Sequence, residues 1–320
     1  MTSVLALLAL APWTAECVWG GFPVTAWPFV IIILAGQYGG AAVLIREVAR
    51  RTGGGWPAIV LMAAAFGFVQ AGLVDQSLFN PSFLDRTSFA ADAAAARDTW
   101  IPGLSFSGQQ AFAYVGGHIA LSICAPIAIV ESCTTSSGPW LGRRGLAAVA
   151  VFYVLGSLLI FRDVYGDEHF FASPVQVGFT LLVVLALIGL ALTRRARVTV
   201  PSDARVPHPG LVALVVAVPH VVNGLVPGWG GVALSAGVVA VVVALIVRWS
   251  RRAGWGQRHV LAAWGSGLVV AAASAYVVPT YEATSAELGL ISDIAISVVT
   301  VALLTLAWRR QRAARAPVAS

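Results

Sequence analysis

Ten long hydrophobic runs recur along the chain, separated by arginines or by turn residues. A transmembrane α-helix needs about 17–25 mostly apolar residues, and the runs have that length. They predict membrane spans at 3–19, 27–46, 56–75, 110–131, 145–161, 174–193, 210–226, 231–248, 259–279 and 287–308. The pattern therefore predicts an all-α fold, a polytopic transmembrane helix bundle, that forms one integral membrane domain over residues 1–320. Residues 76–109 form a long outer loop in this scheme.

The arginines alternate in density from loop to loop, which gives the spans a direction. With the N-terminus placed inside, only three of them fall in outer segments: Arg86, Arg97 and Arg162. The cytoplasmic segments receive the others: Arg46, Arg50, Arg51, Arg143, Arg144, Arg194, Arg195, Arg197, Arg205, Arg248, Arg251, Arg252, Arg258, Arg309, Arg310, Arg312 and Arg315. Short cytoplasmic loops are enriched in basic residues, so both termini are predicted to be cytoplasmic. The first run lacks a basic leader, and a cleaved signal peptide is the alternative interpretation of residues 3–19.

Composition agrees with a chain that faces lipid. Charged residues make up 11% of the sequence, against about 25% in soluble domains. Every basic residue is arginine, and the absence of lysine excludes a retinal Schiff base and a Walker-A phosphate loop. Arginine usage with abundant Ala, Val and Gly is typical of a GC-rich bacterium, which predicts a bacterial cytoplasmic membrane as the location. We expect no nucleic-acid partner, because the arginines serve as topological anchors.

A few strongly polar residues fall inside predicted spans, where each costs about 2.5–3.5 kcal/mol on insertion scales. They are Glu16, Gln37, Gln70, His118, His220, Asn223 and Asp293. At 1.5 Å per residue, His118 lies about 12 Å from the outer surface, and Gln70, His220 and Asp293 lie at about 8–9 Å. The matched depth predicts a polar cluster in the outer half of the bundle.

Two helices carry polar residues on one face. Gln110, Tyr114, His118 and Ser122 recur every four residues, and Asp293, Ser297 and Thr300 do the same in the last span. Hydrogen bonding between helices is the simpler interpretation for the hydroxyl residues. For His118 and Asp293 we also consider a proton-sensitive pair in an outward-opening solute pathway.

Other motifs concern packing. Pro219 in the seventh span predicts either a broken helix that lines a cavity or a kink near a helix end. The Gly36–Gly40 GxxxG motif predicts a close helix contact, and Glu47 with Arg51 predicts an i, i+4 ion pair.

The acidic segment 162–169 is predicted to be a solvated turn, because it lacks the spacing of a calcium loop. No metal site and no cofactor are expected. In the outer loop, Ser88 before an alanine-rich stretch predicts a short surface helix.

Three function classes remain open. A permease for a small solute is favoured, with pathway candidates Gln70, His118, Tyr114, His220, Asn223, Asp293 and Glu16. A membrane scaffold or accessory protein is the second class.

An intramembrane enzyme is the third. Tyr114 and His118 are similar to the F-x-x-x-H motif of the CAAX-protease and bacteriocin-processing family, and His220 with Asn223 is loosely similar to a later one. Gln70-Ala71 stands where that family carries a glutamate pair, so the carboxylate that would activate water is missing.

Overall fold

A computed structural model describes residues 1–134, 136, 138–193 and 205–313, and side chains through 311. The described chain is a helical bundle, as the hydrophobic pattern predicted. Its α-helices are α1 (Thr2–Pro12), α2 (Trp27–Leu34), α3 (Gly40–Thr52), α4 (Gly55–Val69), α5 (Ala90–Ala96), α6 (Gly108–Gly117), α7 (Ala125–Ser132), α8 (Arg143–Glu168), α9 (Pro174–Thr193), α10 (Pro209–Val222), α11 (Gly228–Trp249), α12 (Gln257–Ser274) and α13 (Ala286–Ala313).

Four short π-helical segments join these helices into longer rods. We name them π1 (Trp13–Cys17, after α1), π2 (Ala35–Gly39, between α2 and α3), π3 (Gln70–Val74, after α4) and π4 (His118–Cys124, between α6 and α7). Two 3₁₀ turns, at Val24–Ala26 and Arg97–Thr99, and one pair of two-residue strands complete the regular structure of the described chain.

Seven of the described helical rods are long and apolar enough to cross a membrane, and two shorter apolar helices cover Thr2–Cys17 and Pro209–Val222. The rod over Arg143–Glu168 buries only 6% of its most apolar window inside the protein. Water would make such a surface unfavourable, whereas acyl chains match it. The chain is therefore a multi-pass, membrane-embedded helical protein. Each of the ten predicted spans falls on a helix.

The predicted close contact at the GxxxG motif is confirmed. A Cβ added to Gly36 would lie 2.8 Å from the carbonyl oxygen of Phe152 on α8, and one added to Gly39 would lie 2.5 Å from that of Leu8 on α1. Glycine at both positions lets π2 pack directly on two neighbouring backbones.

The outer loop is folded over one end of the bundle. It contains α5, close to the predicted surface helix, and an antiparallel pair of β1 (Trp100–Ile101) and β2 (Phe106–Ser107). The helix begins at Ala90, with Phe89 and not Ser88 at the cap position. Arg86 bonds to Glu168 on α8 at 2.9 Å, which ties the loop to a spanning helix.

One expectation about helix ends needs correction, and one open alternative is decided. The acidic segment is not a turn, because α8 continues through Glu168 and ends where His169 adopts a left-handed conformation with φ 50°. Its charged side chains are tolerated on a helix because they lie beyond the apolar stretch. Pro219 lies in the last turn of α10, three residues before its end, so the helix-end interpretation is the one that fits.

A network of ion pairs lies at the end of the bundle that the arginine bias assigns to the cytoplasm. The predicted pair is confirmed, with Arg51 Nη1 2.6 Å from Glu47 Oε2. Arg46 was expected to be a loop anchor, but it is fully buried and pairs with Glu47 at 2.8 Å and with Glu131 at 3.0 Å. Arg50 adds a second contact to Glu131. The predicted anchors Arg194, Arg195, Arg197 and Arg315 lie outside the described residues.

Candidate functional site

Every π-helical segment carries a polar residue that the sequence placed inside a span. Glu16 lies in π1 and Gln37 in π2, while Gln70 begins π3 and His118 begins π4. The i→i+5 bonds of Val18 N to Trp13 O (3.1 Å) and Asp75 N to Gln70 O (3.0 Å) define two of these segments. π-bulges are rare in proteins as a whole, and many of those that occur lie at functional sites. π1 packs against π4, and π4 also packs against α4, the helix that continues into π3.

Glu16 and Tyr38 form the shortest polar contact among these segments. The Tyr38 hydroxyl donates to Glu16 Oε1 at 2.5 Å, which joins π1 to π2. Tyr38 is 3% exposed, whereas Glu16 retains accessible surface. The buried tyrosine thus fixes the position of the partly exposed Glu16 carboxyl group.

A second carboxyl group lies at the end of π3. Asp75 accepts from Gln70 Nε2 at 2.9 Å through Oδ2 and from the backbone N–H of Ser77 at 2.9 Å through Oδ1. Asp75 is within electrostatic reach of Glu16, Tyr38 and Tyr114. The carboxyl groups of Glu16 and Asp75, which come from different helices, are therefore electrostatically coupled.

Tyr281, from the connection between α12 and α13, completes this group. Burial raises the pKa of its hydroxyl well above the usual range, and the charge of Glu16 raises it further. The hydroxyl therefore stays protonated and can donate a hydrogen bond. We call the set of Glu16, Tyr38, Gln70, Asp75, Tyr114 and Tyr281 the outer cluster.

Neither carboxyl group of the outer cluster has a basic partner among the described residues. The acidic partners in the ion pairs among the described residues are Glu47, Glu131, Glu168 and Asp85. Arg86 and Arg97, two of the outer arginines, instead bond to Glu168 and to Asp85.

Acceptor capacity is also left over. Gln70 is 1% exposed and its Oε1 has no hydrogen-bond partner, and the buried hydroxyl of Tyr114 has none either. Buried polar atoms normally have partners, so those without one require an explanation.

Three aromatic rings pack around Tyr281, one member of the cluster. The ring of Tyr281 lies 5.3 Å from Trp19, 5.3 Å from Phe22 and 5.5 Å from Phe89, measured between centroids. We call these four residues the aromatic cover. Phe89 comes from the outer loop, so that loop contributes directly to the cover.

His118 lies beside the outer cluster, at the start of π4. Its ring centroid is 5.8 Å from that of Tyr38 and 5.7 Å from that of Phe66, and its Nδ1 is 3.2 Å from Ser122 Oγ. The histidine lies among inner helices, and Ser122 below it is buried. Of the predicted pathway residues, Glu16, Gln70, Tyr114 and His118 are thus close to one another.

The remaining predicted residues lie elsewhere. His220, near the end of α10, faces α12, where a Cβ on Gly267 would lie 3.0 Å from its Nε2. Asn223 ends that helix in an extended conformation. Asp293 lies on α13, and no hydrogen bond or ion pair joins it to His118 among the described residues.

Sequence reasoning missed three members of the outer cluster. Tyr38 lies inside the Gly36–Gly40 motif and Asp75 ends the predicted span 56–75, but neither was a candidate for the polar cluster, and Tyr281 belonged to no motif. Asp75 carried a detectable signal, because it ends the same span that holds Gln70. Tyr281 carried none, since its loop is remote in sequence from every other member.

No group of three or more His, Cys, Asp or Glu side chains arranged to hold a metal ion occurs in the part of the chain that the structure describes. Comparison with protein-family models, curated proteins and solved structures finds no match.

Proposed function

We propose that this protein is a permease for a small solute, with the outer cluster as its binding site and with transport coupled to protons. One observation carries the proposal. Four helical rods each depart from α-geometry at a strongly polar residue, and two of these residues belong to the outer cluster: Glu16 is one carboxyl group and Gln70 bonds to the other, and neither carboxyl group has a basic partner among the described residues.

A carboxyl group inside a membrane protein costs free energy. Carboxyl groups at membrane depth are expensive, and they are retained mainly where they serve a pathway or a partner. An accessory protein held together by isolated polar contacts would have these side chains pointing to separate neighbours. Asp75 instead couples electrostatically to both Glu16 and Tyr114 and accepts a hydrogen bond from Gln70, which supports a common site.

Proton coupling follows from the groups present. Carboxyl and imidazole groups exchange protons, and low dielectric surroundings make their charge state sensitive to a nearby solute. We place the coupling at Glu16, Asp75 and His118. The pairing of His118 with Asp293 stays a separate prediction.

The membrane placement is part of the same proposal. Ten spans, cytoplasmic termini and a bacterial cytoplasmic membrane would put the outer cluster in the half of the bilayer away from the cytoplasm. Solute and protons would then enter beneath the aromatic cover.

Reconstitution tests this function. Purified protein in vesicles that enclose a pH-sensitive dye is exposed to cationic, neutral and anionic small solutes. At least one class should move protons together with solute, and Asp75→Asn should abolish that movement. Glu282→Gln, which removes an exposed outer carboxylate, should leave it intact. Movement that persists in Asp75→Asn, or no movement with any class, would refute the proposal.

A further inference from the structure

The outer cluster has an excess of hydrogen-bond acceptors over donors. Two carboxyl groups, with about four acceptor positions each when ionised, and the Gln70 carbonyl oxygen are present. The donors are Tyr38 Oη, Gln70 Nε2 and the Ser77 N–H, which reach the carboxylates, and the hydroxyls of Tyr114 and Tyr281. Gln70 Oε1 is buried and unpartnered beside Asp75. A ligand that completes this site must bring positive charge or hydrogen-bond donors, because an anion would meet like charge and lone pairs.

The aromatic cover limits the kind of cation. Trp19, Phe22, Phe89 and Tyr281 pack on one another with ring centroids 5.3–6.0 Å apart, and Tyr281 couples electrostatically to both carboxyl groups. Aromatic faces attract ammonium groups and also bury apolar substituents. A bare metal ion prefers a shell of oxygen ligands and gains little from an apolar ring.

The site also retains surface that a small molecule can reach. Glu16, Asp75, Tyr114 and Tyr281 are neither fully buried nor fully exposed, although they face the interior of the bundle. The groups that hold them, Tyr38 and Gln70, are almost completely buried. Glu16 and Asp75 thus keep some accessible surface as whole residues, while the side chains that bond to them are enclosed by the bundle.

From these observations we propose that the outer cluster binds an organic ammonium ion, with Glu16 and Asp75 as counter-charges, Gln70 Oε1 as an acceptor and the aromatic cover over its apolar part. The inference rests on the proposed function, since it names the solute class of the same site. It makes Glu16 and Asp75 binding residues and Tyr38 a positioning residue that acts through Glu16.

Binding to the purified protein in lipid nanodiscs tests the charge requirement. Benzylamine and benzyl alcohol have similar shape and differ in charge at neutral pH, and calorimetry measures each dissociation constant. We expect benzylamine to bind and benzyl alcohol to bind at least about thirtyfold more weakly. Equal affinity for the two probes, or binding of benzoate in preference to benzylamine, would overturn the inference. So would a complete lack of benzylamine and tetramethylammonium binding at millimolar concentration, which is expected if the carboxyl groups only hold protons.

Variants locate the binding. Glu16→Gln and Asp75→Asn should each weaken benzylamine binding about thirtyfold or more, whereas the matched control Glu282→Gln should not change it. Because the buried substitutions can impair folding, Tyr281→Leu provides a second route. It removes one face of the cover and should weaken binding about three- to thirtyfold. Full affinity in both Asp75→Asn and Tyr281→Leu would place the ammonium ion elsewhere and refute the assignment.

The two proposals fail in different ways. If benzylamine binds but no solute moves across the vesicle membrane, the assignment of an ammonium ligand holds and the proposed transport function is refuted. If the vesicles transport only neutral or anionic solutes, the permease function is supported and the ammonium assignment is refuted.

Discussion

The hydroxyl of Tyr38 connects two parts of the site. It donates to Glu16 at 2.5 Å, while its ring lies 5.8 Å from that of His118. A hydrogen bond to a carboxylate is stronger than one between neutral groups, and burial strengthens it further. This single side chain therefore sets the position of the carboxyl group and of the imidazole together.

Tyr38→Phe separates the hydroxyl from the ring. The ring packing remains, and Glu16 loses its donor, so unfolding free energy should fall by about 1.5–3 kcal/mol. Solute flux should fall as well, because the carboxyl group is no longer held. Chemical unfolding in detergent and vesicle flux measure the two effects.

Tyr276→Phe is the matched control for that experiment. Its hydroxyl bonds to Ser297 at 3.1 Å on a half-exposed surface, so stability and flux should change little. A Tyr38→Phe protein with the stability and flux of the control would contradict the positioning role.

The buried arginine Arg46 poses a different problem at the opposite end of the bundle. Its guanidinium is 0% exposed, pairs with Glu47 and Glu131, and stacks 3.6 Å from the ring centre of Trp140. Glu47 in turn accepts from the backbone N–H groups of Trp140 and Leu141 at 2.8 and 3.2 Å. The network therefore fastens the connection between α7 and α8 to α3.

Glu47→Gln should destabilise the protein strongly. Removing one partner of a buried ion pair leaves a charge without compensation and typically costs about 3–5 kcal/mol. Asp85→Asn is the comparison, since its pair with Arg97 is about half-exposed and is worth roughly 0–1 kcal/mol. Equal losses for the two variants in chemical unfolding would show that the buried network is not a stability element.

At the scale of elements, the π-helical segments coincide with the closest helix contacts. π2 holds both Gly36 and Gly39, which approach α8 and α1 so tightly that no side chain fits between them. An added residue in a turn lowers the regularity of hydrogen bonding and is retained where packing or function compensates. Here the close approach and the placement of Tyr38 on the same segment provide that compensation.

Gly39→Ala tests this contact. Alanine normally stabilises a helix by about 0.5–1 kcal/mol relative to glycine. At Gly39 the new methyl group would lie 2.5 Å from Leu8 O and 2.7 Å from its Cα, so π2 and α1 must separate. We expect a lower melting temperature and weaker solute binding.

The control is Gly116→Ala on α6, where a Cβ meets nothing within 4 Å. It should raise the melting temperature or leave it unchanged. The same sign of change in the two variants would refute the packing argument.

At the scale of the whole molecule, the exposed apolar surface and the arginine distribution define the placement in a bilayer. Helices α8, α9 and α11 expose large apolar side chains along most of their length, and the lipid must cover them. The arginine bias predicts that the ion-pair network faces the cytoplasm and that the outer cluster faces the opposite side.

Reporter fusions test this orientation. Fusions after Arg252 and after Arg315 should read cytoplasmic, and insertions near Asp92 and Glu168 should read external, because the basic segments stay inside. Substituted cysteines at Asp92 and Arg252 provide an independent check with a membrane-impermeant thiol reagent. A reversal at any one position would break the ten-span scheme.

The sequence by itself determined the elements. Hydrophobic runs of sufficient length produced helices at each predicted span, since satisfaction of backbone hydrogen bonds in lipid is a local requirement that length and hydropathy meet directly. Local motifs were equally readable, as the Glu47–Arg51 pair and the Gly36–Gly40 contact illustrate. The sequence also identified Glu16, Gln70, Tyr114 and His118 as costly residues before any geometry was known.

Only the tertiary structure decided which polar residues meet. Depth along a helix can be counted from the sequence, but the direction of a side chain depends on helix rotation. A π-helical segment shifts that rotation for every residue beyond it, because one extra residue enters the turn. Depth alone therefore grouped Asp293 and His220 with His118, although it does not say which way each side chain points. Packing instead joined Glu16 to Tyr38 and placed Asp75 and Tyr281 beside them. These contacts join residues far apart in sequence, and no local pattern encodes them.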